Sequence, residues 1–353
     1  MKKNILFLTS LAALLITACT PPIPPDVLAS YAEQEVLCAN GPVTVATSEN
    51  TQSTIQAGID LYLASCPESQ VTIATEINDA NIVISDLSEA EPKICETPLI
   101  KTSLMAQSST LAYFVEGLDG LVLTPNAVAG LVNGSIKKWN DPLIAETNLD
   151  IELPDTDVSF FAMELEHASD LAFIDWMKDL SGEDFVSNPA KKYDDYASLV
   201  ADMQLTNGSF SLLPANIIFD NSLTYVNIRN GEEDNLFESL SFSSAVSQVK
   251  ITEGETEIVA QLDKTVEAQV DSGQSTTSLP WYGISYYDFA QCTQDDSENS
   301  IRTFMRFLLR LDAQGQLETY GFFPLTESLR TKAASLIGEV LPTPSVDPSL
   351  ITE

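Results

Sequence analysis

The sequence predicts an α/β protein built as two lobes. Short runs of β-branched and apolar residues alternate with segments whose apolar residues recur at helical spacing. The first three elements make a strand–helix–strand unit, the mark of a parallel sheet. No internal repeat or long linker marks off independent modules. Taken in order, Val43–Thr47 reads as a strand, Thr54–Ala64 as a helix and Val71–Thr75 as a strand. Asn81–Ser85 is a short apolar strand before a loop rich in Glu and Pro. Leu104–Val115 has strand composition and stops at Gly117. Asn126–Leu131 reads as a helix. Asp141–Glu146 reads as a second one, because Asp141-Pro142 supplies an N-cap and a proline at the first helical position. Val158–Ala162 is strand-like, and Asp170–Leu180 is a helix with Leu171, Ile174 and Met177 on one face. Ser209–Leu213, Thr224–Ile228 and Tyr282–Ala290 read as strands. Ser300–Leu311 is a helix with Ile301, Phe304, Met305 and Leu308 at core spacing. Within the acidic stretch Glu232–Asp271, the patches Glu257–Leu262 and Val266–Val270 read as a hairpin.

The N-terminus gives an address. Lys2 and Lys3 precede an apolar run, Ile5 to Ile16, of signal-peptide length. Ile16-Thr17-Ala18-Cys19 resembles a bacterial lipobox. The resemblance implies a signal peptide over 1–18, cleavage before Cys19, and lipidation of that thiol with palmitate or a similar chain. Thr20-Pro21-Pro22-Ile23-Pro24-Pro25 then reads as an extended tether, placing a lipidated Pro-rich segment at 19–37. No other stretch reaches 18 apolar residues. The expected location is extracytoplasmic, lipid-anchored to the bacterial cell membrane. Asp plus Glu number 51 against 17 Lys plus Arg, for a net charge of −34. A field that negative argues against a nucleic-acid partner.

Four further cysteines, Cys38, Cys66, Cys95 and Cys292, lie in a compartment that permits disulfides. Three connectivities are open to them. Cys38 and Cys66 each fall five residues before a strand of the first βαβ unit, so both sit at one edge of a parallel sheet. That predicts Cys38–Cys66 and, by remainder, Cys95–Cys292. The second bridge ties an early segment to a late one, so the chain returns to its first lobe. The expected division is 38–112 with 283–345 for lobe 1, and 113–282 for lobe 2.

The order of pieces resembles the phosphate-binding protein family of bacterial ABC importers. Leu118-Asp119-Gly120-Leu121 with Leu123-Thr124-Pro125 looks like that family's entry into its second lobe. Ala129 to Pro142, ending in Trp139-Asn140-Asp141-Pro142, looks like its helix–turn signature. Gly208-Ser209-Phe210-Ser211-Leu212, Leu279-Pro280-Trp281-Tyr282 and Gly321-Phe322-Phe323-Pro324-Leu325 look like later strands and the closing loop. The resemblance covers roughly Gly41 to Val340. It implies a two-lobed type II periplasmic-binding-protein-like fold, each lobe a mixed sheet flanked by helices. The Trp-Asn-Asp-Pro motif itself shapes a loop: Trp139 packs and Asp141 caps.

The resemblance also implies a ligand set, and here the match thins. The candidate positions are Ser48, Glu49 and Asn50 in the first βα loop, Ser85 and Asp86 after a later strand, and His167 and Ser169 at a helix start. Glu49 falls where the family has a threonine. Met163 falls at its arginine, His167 at a serine and Ala168 at a glycine. Only Glu76-Ile77-Asn78-Asp79-Ala80 occupies the second loop, which in the family is rich in Gly and Ser. Glu49, Glu164 and Glu166 bring negative charge. One close like-charge pair in a partly screened cleft costs on the order of 1–4 kcal/mol.

Two functions are therefore expected. One is a membrane-anchored solute-binding lipoprotein with a degraded phosphate site, taking phosphate or an altered ligand and serving an ABC importer permease. Its acidic cleft would favour a cation, an amine or a neutral polyol. The other is a degenerate paralogue without a small ligand, acting as a cell-surface sensor, assembly or interaction protein. An enzyme is not expected, nor a cofactor or metal. The one histidine, His167, has no second ligand three or four residues on. No nucleophile elbow, Walker loop or dinucleotide fingerprint is present. Asn133-Gly134-Ser135 and Asn207-Gly208-Ser209 match the glycosylation sequon but read as turns.

Overall fold

The computed structural model describes residues 36–85, 99–165, 167–264, 279–292 and 298–338. The chain opens with β1 (Pro42–Thr47), α1 (Gln52–Ser65), β2 (Gln70–Ile73), β3 (Ile82–Ser85) and the long β4 (Ile100–Phe114). It continues through β5 (Val122–Leu123), α2 (Pro125–Val132), α3 (Pro142–Ala145), β6 (Ser159–Met163), α4 (Ala168–Ser181), β7 (Lys191–Tyr193), α5 (Tyr196–Leu205) and β8 (Ser209–Pro214). Then come α6 (Ala215–Asp220), β9 (Thr224–Tyr225), β10 (Asn227–Asn230), β11 (Glu233–Asn235), α7 (Ser239–Val246), β12 (Val249–Glu253) and β13 (Ile258–Leu262). The last elements are β14 (Ile284–Gln291), α8 (Glu298–Leu308), α9 (Leu311–Gln314) and α10 (Glu327–Ile337).

One mixed sheet runs in the order β2-β1-β3-β14-β4-β8-β6-β7. β1 is parallel to β2 and β3, as the βαβ reading requires. β14 is antiparallel to both β3 and β4, so the late chain does return to the early strands. β4 is the shared member. Ile100 to Ser108 pair with β14, and Ser109 to Phe114 pair with β8. β6 and β7 then extend the sheet in parallel.

Two hydrophobic clusters follow this division. One gathers β1, β3, α1, α8 and α10 around Tyr62, Phe289, Phe304 and Phe322. The other gathers α2, α4, α5, β6 and β8 around Trp139, Phe173, Trp176, Phe210 and Trp281. α8 carries its apolar residues on a single face, so Ile301, Phe304, Met305 and Leu308 are all buried.

The Trp-Asn-Asp-Pro turn behaves as its residue types dictate. Trp139 is fully buried, tilted against Tyr113, and its indole N–H donates to the Gly208 carbonyl at 3.0 Å. Asp141 Oδ1 accepts from the Leu143 N–H at 3.0 Å, and Pro142 begins α3. Gly208 is required there. Its φ is +93°, and a Cβ would lie 2.1 Å from the Asp157 carbonyl oxygen.

Some elements differ from expectation. Thr224–Ile228 is not one strand. Val226 donates to Leu111 O between β9, which pairs β4, and β10, which pairs β5. The hairpin partner of Ile258–Leu262 is Val249–Glu253, upstream, with Val249 opposite Leu262. The patch Val266–Val270 lies outside the described residues. β7, α5, α6, α7 and α10 were not legible as elements, because each is short or of mixed polarity.

Cys38 and Cys66 form the expected disulfide, with Cα atoms 5.4 Å apart. Cys292 is buried, and Cys95 lies outside the described residues. The 38–66 bridge closes a separation of 28 residues. Cys66→Ser is expected to lower stability by about 2–4 kcal/mol, read from urea unfolding under non-reducing conditions.

Candidate functional site

Two of the expected ligand positions, Asn50 and Ser169, reach the stretch where β4 passes from one hydrophobic cluster to the other. Its middle residues are Gln107, Ser108, Ser109 and Thr110, all polar and all fully buried. Buried polar groups need partners; Gln107, Ser109 and Thr110 have them, and Ser108 Oγ makes no hydrogen bond.

The loop after β1 turns inward to meet it. Asn50 is 2% exposed. Its side-chain amide donates to Gln107 Oε1 at 2.7 Å and to the Tyr287 hydroxyl at 2.6 Å. Tyr287 in turn donates to Gln107 Oε1 at 2.9 Å. Gln107 donates from Nε2 to Asn216 Oδ1 at 2.7 Å, and Asn216 Nδ2 donates to the Asn50 backbone carbonyl at 3.0 Å. The circuit is closed. It joins the first βα loop, β4, β14 and the first turn of α6. Gly321, with φ +71°, lets the closing loop approach Asn216, since a Cβ would meet the Asn216 Cα at 2.5 Å. Asn50 Oδ1 is buried and makes no hydrogen bond.

Ser169 is also turned inward. It sits in the first turn of α4, is fully buried, and accepts a hydrogen bond from Ser109 at 2.8 Å. The Ser109 backbone carbonyl accepts the Trp281 indole N–H at 3.2 Å, and Thr110 donates to Val226 O at 3.1 Å.

The other expected residues stay nearer the surface. Ser48 Oγ lies 3.1 Å from Thr51 Oγ1, within the turn itself. Glu49 is exposed at the loop tip. Partial burial pushes its carboxyl above the ordinary value, the Asp195 carboxylate adds to this, and the His167 ring opposes it. His167 is the N-cap residue of α4 and stacks on Tyr196, ring centroids 5.5 Å apart. Asp195 caps α5 through the Ser198 N–H at 2.7 Å, and that bond holds its carboxyl low. Glu49, His167 and Asp195 thus share one electrostatic neighbourhood. Ser85 ends β3, and Asp86 lies outside the described residues, as does Glu166. Met163 ends β6. Glu164 follows it and pairs with Lys192 at 3.4 Å. Among the described residues, no cluster of three or more His, Cys, Asp or Glu could hold a metal ion. No helix there is long and apolar enough to cross a membrane.

Sequence reasoning missed Gln107, Ser109, Asn216, Tyr287 and Asp195. One signal was available: Gln107-Ser108-Ser109-Thr110 is a polar interruption in the expected strand Leu104–Val115, which is otherwise apolar.

No protein-family model matches the chain, and no curated protein sequence does. Solved structures do. A high affinity periplasmic phosphate-binding protein, PfluDING, solved with bound phosphate, is 10% identical with a TM-score of 0.60, over 83% of this chain and 92% of that one. The fold is that of the periplasmic phosphate-binding proteins. A phosphate binding protein from Stenotrophomonas maltophilia is 11% identical, with a TM-score of 0.53 over 83% and 93% of the two chains. A structure described as a phosphate ABC transporter substrate-binding protein from Clostridium perfringens, with bound phosphate, is 10% identical, with a TM-score of 0.52 over 81% and 100%. At such identities the likeness is one of fold, and it is the two-lobed fold the sequence resemblance implied.

Asn50→Ala removes two buried hydrogen bonds and leaves a small void. It is expected to cost about 2–3 kcal/mol in urea unfolding, whereas Ser48→Ala, whose partner lies within the same turn, is expected to stay within about 0.5 kcal/mol.

Proposed function

We propose that this chain is a lipid-anchored extracytoplasmic protein that keeps the phosphate-binding scaffold, has lost the phosphate site, and acts as a cell-surface sensor or interaction protein. The observation that carries this reading is the closed circuit of Asn50, Gln107, Asn216 and Tyr287. A binding loop must offer its donors to solvent and so to solute. Here the side chain of the first βα loop best able to donate spends both amide hydrogens on the protein's own interior. The hydroxyl of Ser169 is likewise engaged, with Ser109.

The electrostatics point the same way. Anion recognition relies on a guanidinium fork, helix N-termini and backbone N–H groups. Met163 stands where the resemblance places the arginine, and it offers no charge. Glu49 and Asp195 bring two carboxylates into one electrostatic neighbourhood beside His167. The similar structures named above carry phosphate in their descriptions. This chain has their fold, and at the positions where the resemblance places a threonine and an arginine it carries Glu49 and Met163.

Two measurements test the proposal. Calorimetric titration with phosphate at pH 7 is expected to give no heat of binding up to millimolar concentration; micromolar binding would overturn the reading and restore an importer role. For the anchor, Cys19→Ala is expected to move the protein from the membrane fraction to the soluble fraction and to abolish palmitate labelling. Persistence of the label in that variant would refute lipidation at Cys19.

A further inference from the structure

A cavity of about 370 Å³ opens in the hydrophobic cluster around Trp139 and Trp281, and no residue of the Asn50 circuit lines it. Small-molecule sites usually measure about 300–1,000 Å³, and a dry apolar cavity of about 150 Å³ takes one benzene ring. This chamber therefore has room for a fused-ring body. Phe160 and Ala162 of β6, Ile174 of α4 and Leu212 of β8 supply apolar wall. Two leucines of the lining are open to solvent: Leu165 is 68% exposed and Leu171 is 46% exposed. Apolar surface left in water at the edge of a ligand-sized concavity is a recognition feature, since an occupant removes part of it from water.

The charged lining decides the class of ligand. Glu164 and Lys192 both belong to it, and they pair with each other at 3.4 Å. Asp170, buried in the first turn of α4, is already engaged within the protein. The lining thus offers an ionic ligand no disengaged counter-ion. An ammonium would have to give up its hydration and then compete with Lys192 for Glu164, and a carboxylate would have to compete with Glu164 for Lys192. A neutral molecule leaves the pair undisturbed and gains from the apolar area it buries against Phe160, Ile174 and Leu212.

We propose that this cavity is a binding site for a small neutral molecule with a fused-ring or similar apolar body. The Glu164–Lys192 pair selects against ions of either sign because each partner neutralises the other. The inference stands apart from the reading of the Asn50 circuit: phosphate binding would overturn that reading and leave this one intact.

The test is calorimetry on the full chain in lipid nanodiscs, with empty nanodiscs as the blank. The probes are the neutral 2-naphthalenemethanol, the cationic 2-naphthylmethylamine and the anionic 2-naphthoate. The alcohol is expected to bind at least tenfold more tightly than either ion. Ala162→Trp, which fills the chamber, is expected to weaken the alcohol at least tenfold. Because a filled chamber can also disturb folding, two variants at the half-exposed pair locate the site by a gain instead of a loss. Glu164→Gln releases Lys192 and is expected to raise the affinity of naphthoate relative to the alcohol at least threefold. Lys192→Gln releases Glu164 and is expected to do the same for the amine. No binding of the alcohol, equal affinity for the three probes, or ratios indifferent to both pair variants would each overturn the proposal.

Discussion

Everything in this molecule hangs on four buried polar residues in the middle of one strand. β4 must serve two hydrophobic clusters, since its first half pairs with β14 and its second half with β8. Where it passes from one to the other, Gln107 to Thr110 have neither solvent nor a uniformly apolar surround. A buried amide or hydroxyl left unpaired costs on the order of 1–3 kcal/mol. The surrounding elements therefore have to bring partners to it. Asn50, Asn216 and Tyr287 serve Gln107, Ser169 serves Ser109 and the Val226 carbonyl serves Thr110, while Ser108 Oγ is buried and makes no hydrogen bond.

That requirement shapes the loops on either side. The turn after β1 folds inward because Asn50 has bonds to make there. α6 begins at the sheet because Asn216 completes the circuit, and the closing loop carries a glycine at 321 because any larger residue would collide with Asn216. A region that in a solute-binding architecture would present donors to a cleft is drawn into the interior. Such a network is costly if broken and specific when complete.

The charge distribution adds a second theme. Acidic residues outnumber basic ones three to one, and Glu49 and Asp195, which act on each other beside the Asn50 loop, keep that sign. The described ion pairs are mostly exposed and contribute little to holding the fold. Cohesion comes from the aromatic clusters around Tyr62 and Trp281 and from the Cys38–Cys66 bridge. Charge here governs what can approach the protein, and packing governs its shape.

The sequence by itself determined what depends on near neighbours. The βαβ unit, the capped turn at Asp141, the packing role of Trp139 and the Cys38–Cys66 pairing all follow from spacing within a few tens of residues, where periodicity, cap chemistry and sheet geometry act locally. Only the tertiary structure decided which way Asn50 and Ser169 point. Asn50 meets Gln107 across 57 positions and Tyr287 across 237, and Ser169 meets Ser109 across 60. No local rule distinguishes an asparagine that offers its amide to a solute from one that turns it inward. That choice belongs to the buried polar centre of β4, whose demand for partners exists only once the two hydrophobic clusters have formed on either side of it.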